Sequence, residues 1–281
     1  MKGIITMTDT MQKLLAEKAR EIRILALQGI YTASSGHPGG SLSIADILSY
    51  LYFYKMKQSS AAPKDPDRDR FVLSKGHAAP ALYGALTLAG YFPPEEIKTL
   101  RAVGSRLQGH PDIKKVNGVD MTTGSLGQGV SAAGGIALAG MKAGKDYHTY
   151  CITGDGESEE GQVWEAAMFA AHYKLASLTL FLDYNNLQID GKVSDVMDVA
   201  PIDDKYRAFG WHVQVIDGHD FEQIDTAVTK AHADPRPSVI ICRTVKGKGV
   251  SFMENVAGWH GKAPNAQEYE TAMNELGGPL V

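Results

Sequence analysis

Beyond Asp120 short apolar runs alternate with helical patterns, and few architectures accept such a chain. TTGSLGQG leads into a small-residue helix over 130–143, and the strand YHTYCIT runs into GDG before a helix over 160–173. LTLFLDYNN is the next strand. An irregular stretch to Pro201, a helix over 203–209, the strand HVQVIDG, a helix over 221–232 and the strand SVIICRTV complete the series. Strands separated by helices predict an α/β fold, with a mostly parallel sheet and helices on both faces. In such folds ligands bind beyond the carboxyl ends of the strands, where glycine loops feed helix N-termini.

The first third of the chain is more helical. Leu14, Leu15, Ala19, Ile22, Ala26 and Leu27 fall near helical spacing over 11–29, and Ile30 and Tyr31 extend the pattern. A second helix is expected over 41–54, capped by Ser41 or Ser43, with Asp46 three residues beyond the latter. Residues 59–70 read as a Pro/Asp-rich surface loop, FVLS as a buried strand and 79–89 as a helix. FPPEE opens another helix with proline in its first turn. From Asn265 a short helix and GGPLV form an expected peripheral tail. No repeat, low-complexity tract or linker divides the 281 residues, so one domain over 1–281 is expected.

Composition narrows the function classes. The chain is 44% hydrophobic and 21% charged with a net charge of −4, a globular balance. No basic run is present to neutralise phosphates, which argues against nucleic acid as a partner. No apolar run approaches the roughly 20 residues that cross a bilayer. MKGIITMTDT lacks the pattern of a signal peptide, so a cytoplasmic protein is expected. Cys151 and Cys242 sit in apolar runs and read as buried, reduced thiols.

Glycine is the biased count: 30 of 281 residues, about 11% against a usual ~7%. It concentrates in SSGHPGGS, TTGSLGQGVSAAGG, TGDGESEEG and KGKG, which favours a cofactor site. Gly154–Asp155–Gly156 closes a strand before the next helix begins. There Gly156 lets a backbone N–H approach an anion, and the helix N-terminus favours negative charge. Asp155 would repel that anion unless a hard cation lay between them. Asn185, Asn186 and Leu187 follow the next strand, and adjacent parallel strands end side by side. Asp155, the Asn185 amide oxygen, a backbone carbonyl and two phosphate oxygens would nearly complete an octahedron around Mg²⁺. Among nine histidines, His37, His77, His110 and His260 lie beside glycine or proline in loops, where imidazoles could hold an anion and exchange protons. His148, His172, His212, His219 and His232 read as bystanders on element surfaces.

GDG followed by about 28 residues and NN resembles the thiamine-diphosphate motif. SGHPGG, FVLSKGHAAPALY, GHPD, TTGSLGQG, GDGESEEGQVWEA, LDYNNLQIDG and WHGKAP occur in the order of the N-terminal, pyrophosphate-binding domain of transketolase. The resemblance runs from about Arg20 to Pro264. It implies thiamine diphosphate with Mg²⁺, or Ca²⁺ or Mn²⁺ in its place, the metal held by Asp155, Asn185 and Leu187. It implies His77, His260 and Lys246 at the diphosphate, with Gly124, Ser125, Leu126, Gly154, Gly156 and Asn185 also against the cofactor. By the same resemblance His110 would bond a hydroxyl of the donor ketose, while His37 and His260 would orient substrate and relay protons. Glu160 and Glu165 would belong to an acidic network linking paired active sites. Gly40 departs from relatives that carry a side chain there, so any hydroxyl contact from that position is lost.

Transketolases continue into a pyrimidine-binding domain, which supplies the glutamate that activates the aminopyrimidine and most arginines for sugar phosphate, and into a C-terminal domain. This sequence stops soon after WHGKAP. The expectation is therefore the N-terminal subunit of a split transketolase, an α2β2 assembly with a separate C-terminal subunit. Its reaction would move a two-carbon ketol unit from a ketose phosphate to an aldose phosphate. The alternatives are the α-subunit of a 2-oxo acid dehydrogenase, a deoxyxylulose-phosphate synthase fragment, a truncated longer enzyme and a non-catalytic cofactor-binding subunit.

Overall fold

The computed structural model describes residues 7–280; most of the stretch read for a leader therefore lies outside the described residues. Helix α1 (Asp9–Ala33) starts at Thr8, whose hydroxyl accepts the Met11 N–H, and runs on through Ile30 and Tyr31. Helices α2 (Pro38–Leu42) and α3 (Ala45–Tyr50) follow, with a π-helical turn over Leu51–Lys55. The single helix expected over 41–54 is thus broken, and neither serine caps it. Pro38 starts the helical path earlier, and the Ser43 hydroxyl points to the Gly40 carbonyl and, at 2.7 Å, to the Asp183 carboxylate.

Strand β1 (Arg70–Leu73), α4 (Ala79–Leu88), α5 (Gln128–Lys142), β2 (Thr149–Gly154), α6 (Gly161–His172) and β3 (Leu178–Tyr184) come next. They are followed by α7 (Val193–Val196), α8 (Ile202–Ala208), β4 (His212–Asp217), α9 (Phe221–Ala233), β5 (Ser238–Arg243) and α10 (Ala266–Leu276). FPPEE begins only a 3-10 turn, Pro94–Thr99, ended by Leu100 (φ −48°, ψ 127°) and the left-handed Arg101 (φ 61°).

The five strands pair in the order β1-β2-β3-β5-β4, every pair parallel. Side chains alternate across the sheet. Phe71, Tyr150, Ile152, Phe181, Ile240 and Cys242 join the layer with α1, α3, α4 and α9, while Val72, Cys151, Leu180, Leu182, Val239 and Ile241 join α5, α6 and α8. Two covered faces explain why the inner strands β2, β3 and β5 read as apolar runs, whereas the edge strand β4 alternates and is only half-buried. Both cysteines are buried and free. The tail is not peripheral: Ala272, Met273 and Leu276 of α10 bury against Ile24 and Leu27 of α1, and Tyr269 stacks on Tyr31 at 4.0 Å.

Of the five histidines read as surface bystanders, only His172 is exposed. His148 and His232 stack face to face at 3.6 Å, with the Tyr150 hydroxyl 3.0 Å from His232 Nε2. Burial, then the facing His148, pushes His232 down to about 3, with Lys55 adding to the effect. Burial also lowers His148, where Asp69 opposes the shift and Lys55 reinforces it. Both folded values lie below the ordinary 6.5, so this stabilisation is complete above about pH 6.5 and is lost as pH falls towards 3. His232→Phe should therefore move the acid-unfolding midpoint down by about half a pH unit or more. Circular dichroism during an acid titration measures it, and an unchanged midpoint would deny the pair any part in acid lability.

Candidate active site

Because the strands are parallel, the loops after β1, β2, β3 and β5 leave the sheet at one edge, where residues 74–77, 154–159, 185–189 and 244–246 meet. They enclose a cavity of about 310 Å³. Gly154 pairs with Asp183 in the β2–β3 ladder, which sets the GDG turn beside the Asn185–Asn186 turn. The Asn186 N–H donates to Asp155 Oδ2 and the Gly156 N–H to Asp155 Oδ1 at 2.8 Å.

Every residue expected at the site lines this cavity except Ser125 and Glu165: His37, His77, His110, Gly124, Leu126, Gly154, Asp155, Gly156, Glu160, Asn185, Leu187, Lys246 and His260. Ser125 is exposed at the turn into α5, and Glu165 is exposed on α6 away from the cavity. The imidazoles form a cluster, with ring centres 5.2 Å apart for His37–His77, 5.1 Å for His77–His260, 5.5 Å for His37–His260 and 6.5 Å for His37–His110. His37 Nδ1 is buried without a hydrogen-bond partner among the described residues.

Sequence reasoning missed three charged groups here. Lys75 and Asp183 form a buried ion pair at 2.6 Å beneath the cavity, and Lys75 also donates to the Gly40 carbonyl at 2.9 Å. Burial alone would raise Asp183, but the Lys75 ammonium, Thr244 and Ser43 hold it below its ordinary value. A Cβ at Gly40 would lie 3.2 Å from Lys75 Nζ and 3.3 Å from His77 Nε2, so glycine suits this crowded wall. The third group is Glu157, whose carboxylate accepts from the Gly127 N–H (2.8 Å), the Thr153 hydroxyl (2.8 Å), the Gly154 N–H (3.1 Å) and the Ser74 hydroxyl. It ties three site-forming segments together. Gly129 permits the same closeness, since a Cβ there would sit 2.5 Å from Ser74 Cα. Glu157→Gln turns an amide N–H₂ towards donors and should cost roughly 1–3 kcal/mol. A melting temperature lower by several degrees is expected; unchanged melting would mean the loops hold without this carboxylate.

The cavity wall carries charge of both signs. Lys246 donates to the Leu187 carbonyl at 2.9 Å and lies 2.9 Å from His260 Nδ1. Burial, then the Lys75 charge, lowers Lys246 to about 8. Burial, then Lys246, lowers His260 to about 3, and burial, then Arg101, lowers His37 to about 4. His77 falls well below its ordinary value through burial and Lys75, and His110 falls through burial and Arg101. Four neutral imidazoles and two ammonium groups thus share the cavity wall with five carboxyl groups, those of Asp155, Glu157, Glu159, Glu160 and Asp183, so an anion held there calls for a cation beside it. Burial, then Asp183, raises Asp155 to about 6, a carboxylate that a nearby cation would relieve.

Residues 15–279 match the family described as transketolase, thiamine diphosphate binding domain. The chain is 49% identical over 263 residues to a 6-deoxy-6-sulfo-D-fructose transketolase subunit of Clostridium sp. strain MSTE9, covering 93% of this chain and 96% of that one. It is 42% identical over 265 residues to an apulose-4-phosphate transketolase subunit of Phocaeicola vulgatus, covering 94% and 93%. Human transketolase is 44% identical over 94% of this chain, but the match spans only 42% of the human protein. The crystal structure of Campylobacter jejuni transketolase superimposes with a TM-score of 0.90 at 36% identity, over 95% of this chain and 43% of that one. The chain belongs to the transketolase family and carries its thiamine diphosphate binding domain.

Proposed function

We propose that this chain, joined to a C-terminal transketolase subunit, transfers a two-carbon ketol unit from a ketose phosphate to an aldose phosphate. The observation that carries the reading is the single cavity in which the histidine cluster, Lys75, Lys246 and the Asp155–Asn185 turn converge. Bound thiamine diphosphate would supply the carbanion chemistry, and the protein its position and its electrostatics. Lys246 would offset the charge of the diphosphate and His77 and His260 would hydrogen-bond it, with Gly124, Leu126, Gly154 and Gly156 against the cofactor. His110, His37 and His260 would bond substrate hydroxyls and move protons at those oxygens.

Mg²⁺, or Ca²⁺ or Mn²⁺, would sit on Asp155, the Asn185 amide oxygen and the Leu187 carbonyl, with the Lys246 ammonium leaving that carbonyl for the diphosphate. The donor set fits, being all oxygen with one buried carboxylate raised to about 6. Among the described residues no three His, Cys, Asp or Glu side chains are grouped to hold a metal, so the ion would draw its other ligands from amide, backbone and diphosphate oxygens.

The likeness to two subunits over nearly their whole length supports a partner chain, and the reading takes the assembly as α2β2. Ile189, 67% exposed on the cavity rim, would meet that partner, and Glu160 and Glu165 would join the paired sites. The reading places the enzyme in the cytoplasm, where Cys151 and Cys242 stay reduced, with pentose phosphate metabolism as its default setting. The relatives' names add 6-deoxy-6-sulfo-D-fructose and apulose 4-phosphate to the candidate substrates, alongside xylulose 5-phosphate.

The test is affinity capture of the tagged chain from its native lysate with thiamine diphosphate and Mg²⁺, followed by a ketol-transfer assay. Xylulose 5-phosphate is the first donor and ribose 5-phosphate the acceptor. A near-stoichiometric second chain, with activity that the isolated first chain lacks, supports the reading. Activity in the isolated chain refutes the need for a partner, and turnover of 2-oxo acids without ketol transfer refutes the reaction.

A further inference from the structure

His219, outside the cavity, touches the loop that carries Lys246. We propose that His219 is a positioning residue for the cofactor site: clamped by Asp46, it holds the Val245 N–H and thereby fixes the Lys246 ammonium. The inference rests on the reading that Lys246 meets the diphosphate.

The loop after β5 is pinned residue by residue. The Thr244 hydroxyl donates to Asp183, the Val245 N–H donates to His219 Nε2 at 2.9 Å, and the Gly247 N–H donates to the Gly39 carbonyl at 3.0 Å. Between them Lys246 is 2% exposed, with its ammonium on Leu187 and His260. A backbone N–H only donates, so His219 Nε2 must offer its lone pair and the ring proton must sit on Nδ1. Nδ1 lies 2.7 Å from Asp46 Oδ2, where that proton is accepted. Asp46 is itself paired with the Arg23 guanidinium, which also donates to the Leu42 carbonyl at 3.2 Å. The His219 N–H donates to the Asp217 carboxylate at 2.9 Å, which fixes the ring's own backbone.

Buried Arg23 on α1, buried Asp46 on α3 and half-buried His219 after β4 therefore form one path to a single amide beside Lys246. Its geometry selects one tautomer, and that tautomer presents an acceptor to the loop. Space-filling alone would not require an acceptor at Nε2. Without it the Val245 N–H loses its partner, and the backbone from which the Lys246 side chain enters the cavity is no longer pinned on that side.

The test compares His219→Ala, His219→Gln and Lys246→Ala in the complex with the partner chain. Amide hydrogen exchange over residues 244–249 is measured, with thiamine diphosphate affinity at saturating Mg²⁺. His219→Ala should speed Val245 exchange and weaken cofactor binding about tenfold, leaving kcat at saturating cofactor within about twofold. In His219→Gln the amide oxygen can take the place of Nε2, so both quantities should return most of the way to wild type. Weak cofactor binding by Lys246→Ala with unchanged binding by His219→Ala overturns the proposal. So does a glutamine variant that keeps Val245 protected yet binds cofactor no better than the alanine variant. If Lys246→Ala binds normally, the diphosphate reading fails instead, and Val245 exchange still reports the clamp. If His219→Ala fails to fold, the glutamine variant decides: wild-type protection and affinity support the proposal, and loss of protection with wild-type affinity overturns it.

Discussion

Asp155→Asn is expected to lower divalent-cation-dependent affinity for thiamine diphosphate more than about 100-fold, a loss larger than the 10–100-fold typical of residues that only support a ligand. The same substitution should leave the free chain as stable at pH 7.5, or more so. The two effects have opposite signs for one reason. Asp155 is 3% exposed and shares its surroundings with Asp183, so its carboxyl rises to about 6. A folded value above the unfolded ~3.9 means that ionised Asp155 destabilises the free chain. That penalty grows as pH rises from about 4 and is complete above about 6. Asparagine removes the charge and keeps one oxygen for the Gly156 or Asn186 N–H.

A bound cation converts the same penalty into affinity, because the charge that strains the free chain is what attracts the ion. Thermal melts with and without Mg²⁺ and thiamine diphosphate separate the two effects. The wild-type chain should gain stability only when both are present, and the variant should not. Undiminished cation-dependent cofactor affinity would remove Asp155 from the site.

The parts of this site legible in the sequence are those fixed by chain connectivity. In a parallel sheet the strand–helix–strand separation of Asp155 from Asn185 leaves one outcome, adjacent strand ends, and the Gly154–Asp183 pairing realises it. The loop histidines were legible for a similar reason, since each follows or precedes a glycine turn at that edge. What stayed hidden depends on side chains meeting across long stretches of chain. Lys75 and Asp183 stand 108 residues apart, and His219 and Asp46 stand 173 apart. Asp183 did leave a trace, a lone carboxylate within the apolar run LTLFLDYNN, which burial in a sheet would oblige to find a cation. Ser43 misled because a serine before a helical pattern reads as a cap, whereas its hydroxyl reaches that same carboxylate.

His110→Ala, in the complex with the partner chain, is expected to lower kcat/KM for ketol transfer by roughly 10²–10⁴-fold, the range of a positioned acid–base group. Cofactor affinity should change little. The division follows from where the ring lies. His77, His37 and His260 crowd together around 5 Å apart beside Lys75 and Lys246, whereas His110 stands 6.5 Å from His37 on the exposed rim. Burial and the Arg101 charge hold it below 6.5, so at neutral pH the ring is uncharged and can both accept and donate. His110→Gln keeps a hydrogen-bonding side chain but cannot carry a proton through neutral pH. If the ring only orients a hydroxyl, glutamine should recover most of the lost rate; if it also moves the proton, glutamine should stay near alanine. A loss under tenfold in the alanine variant would exclude both roles and return the rim histidine to structural duty.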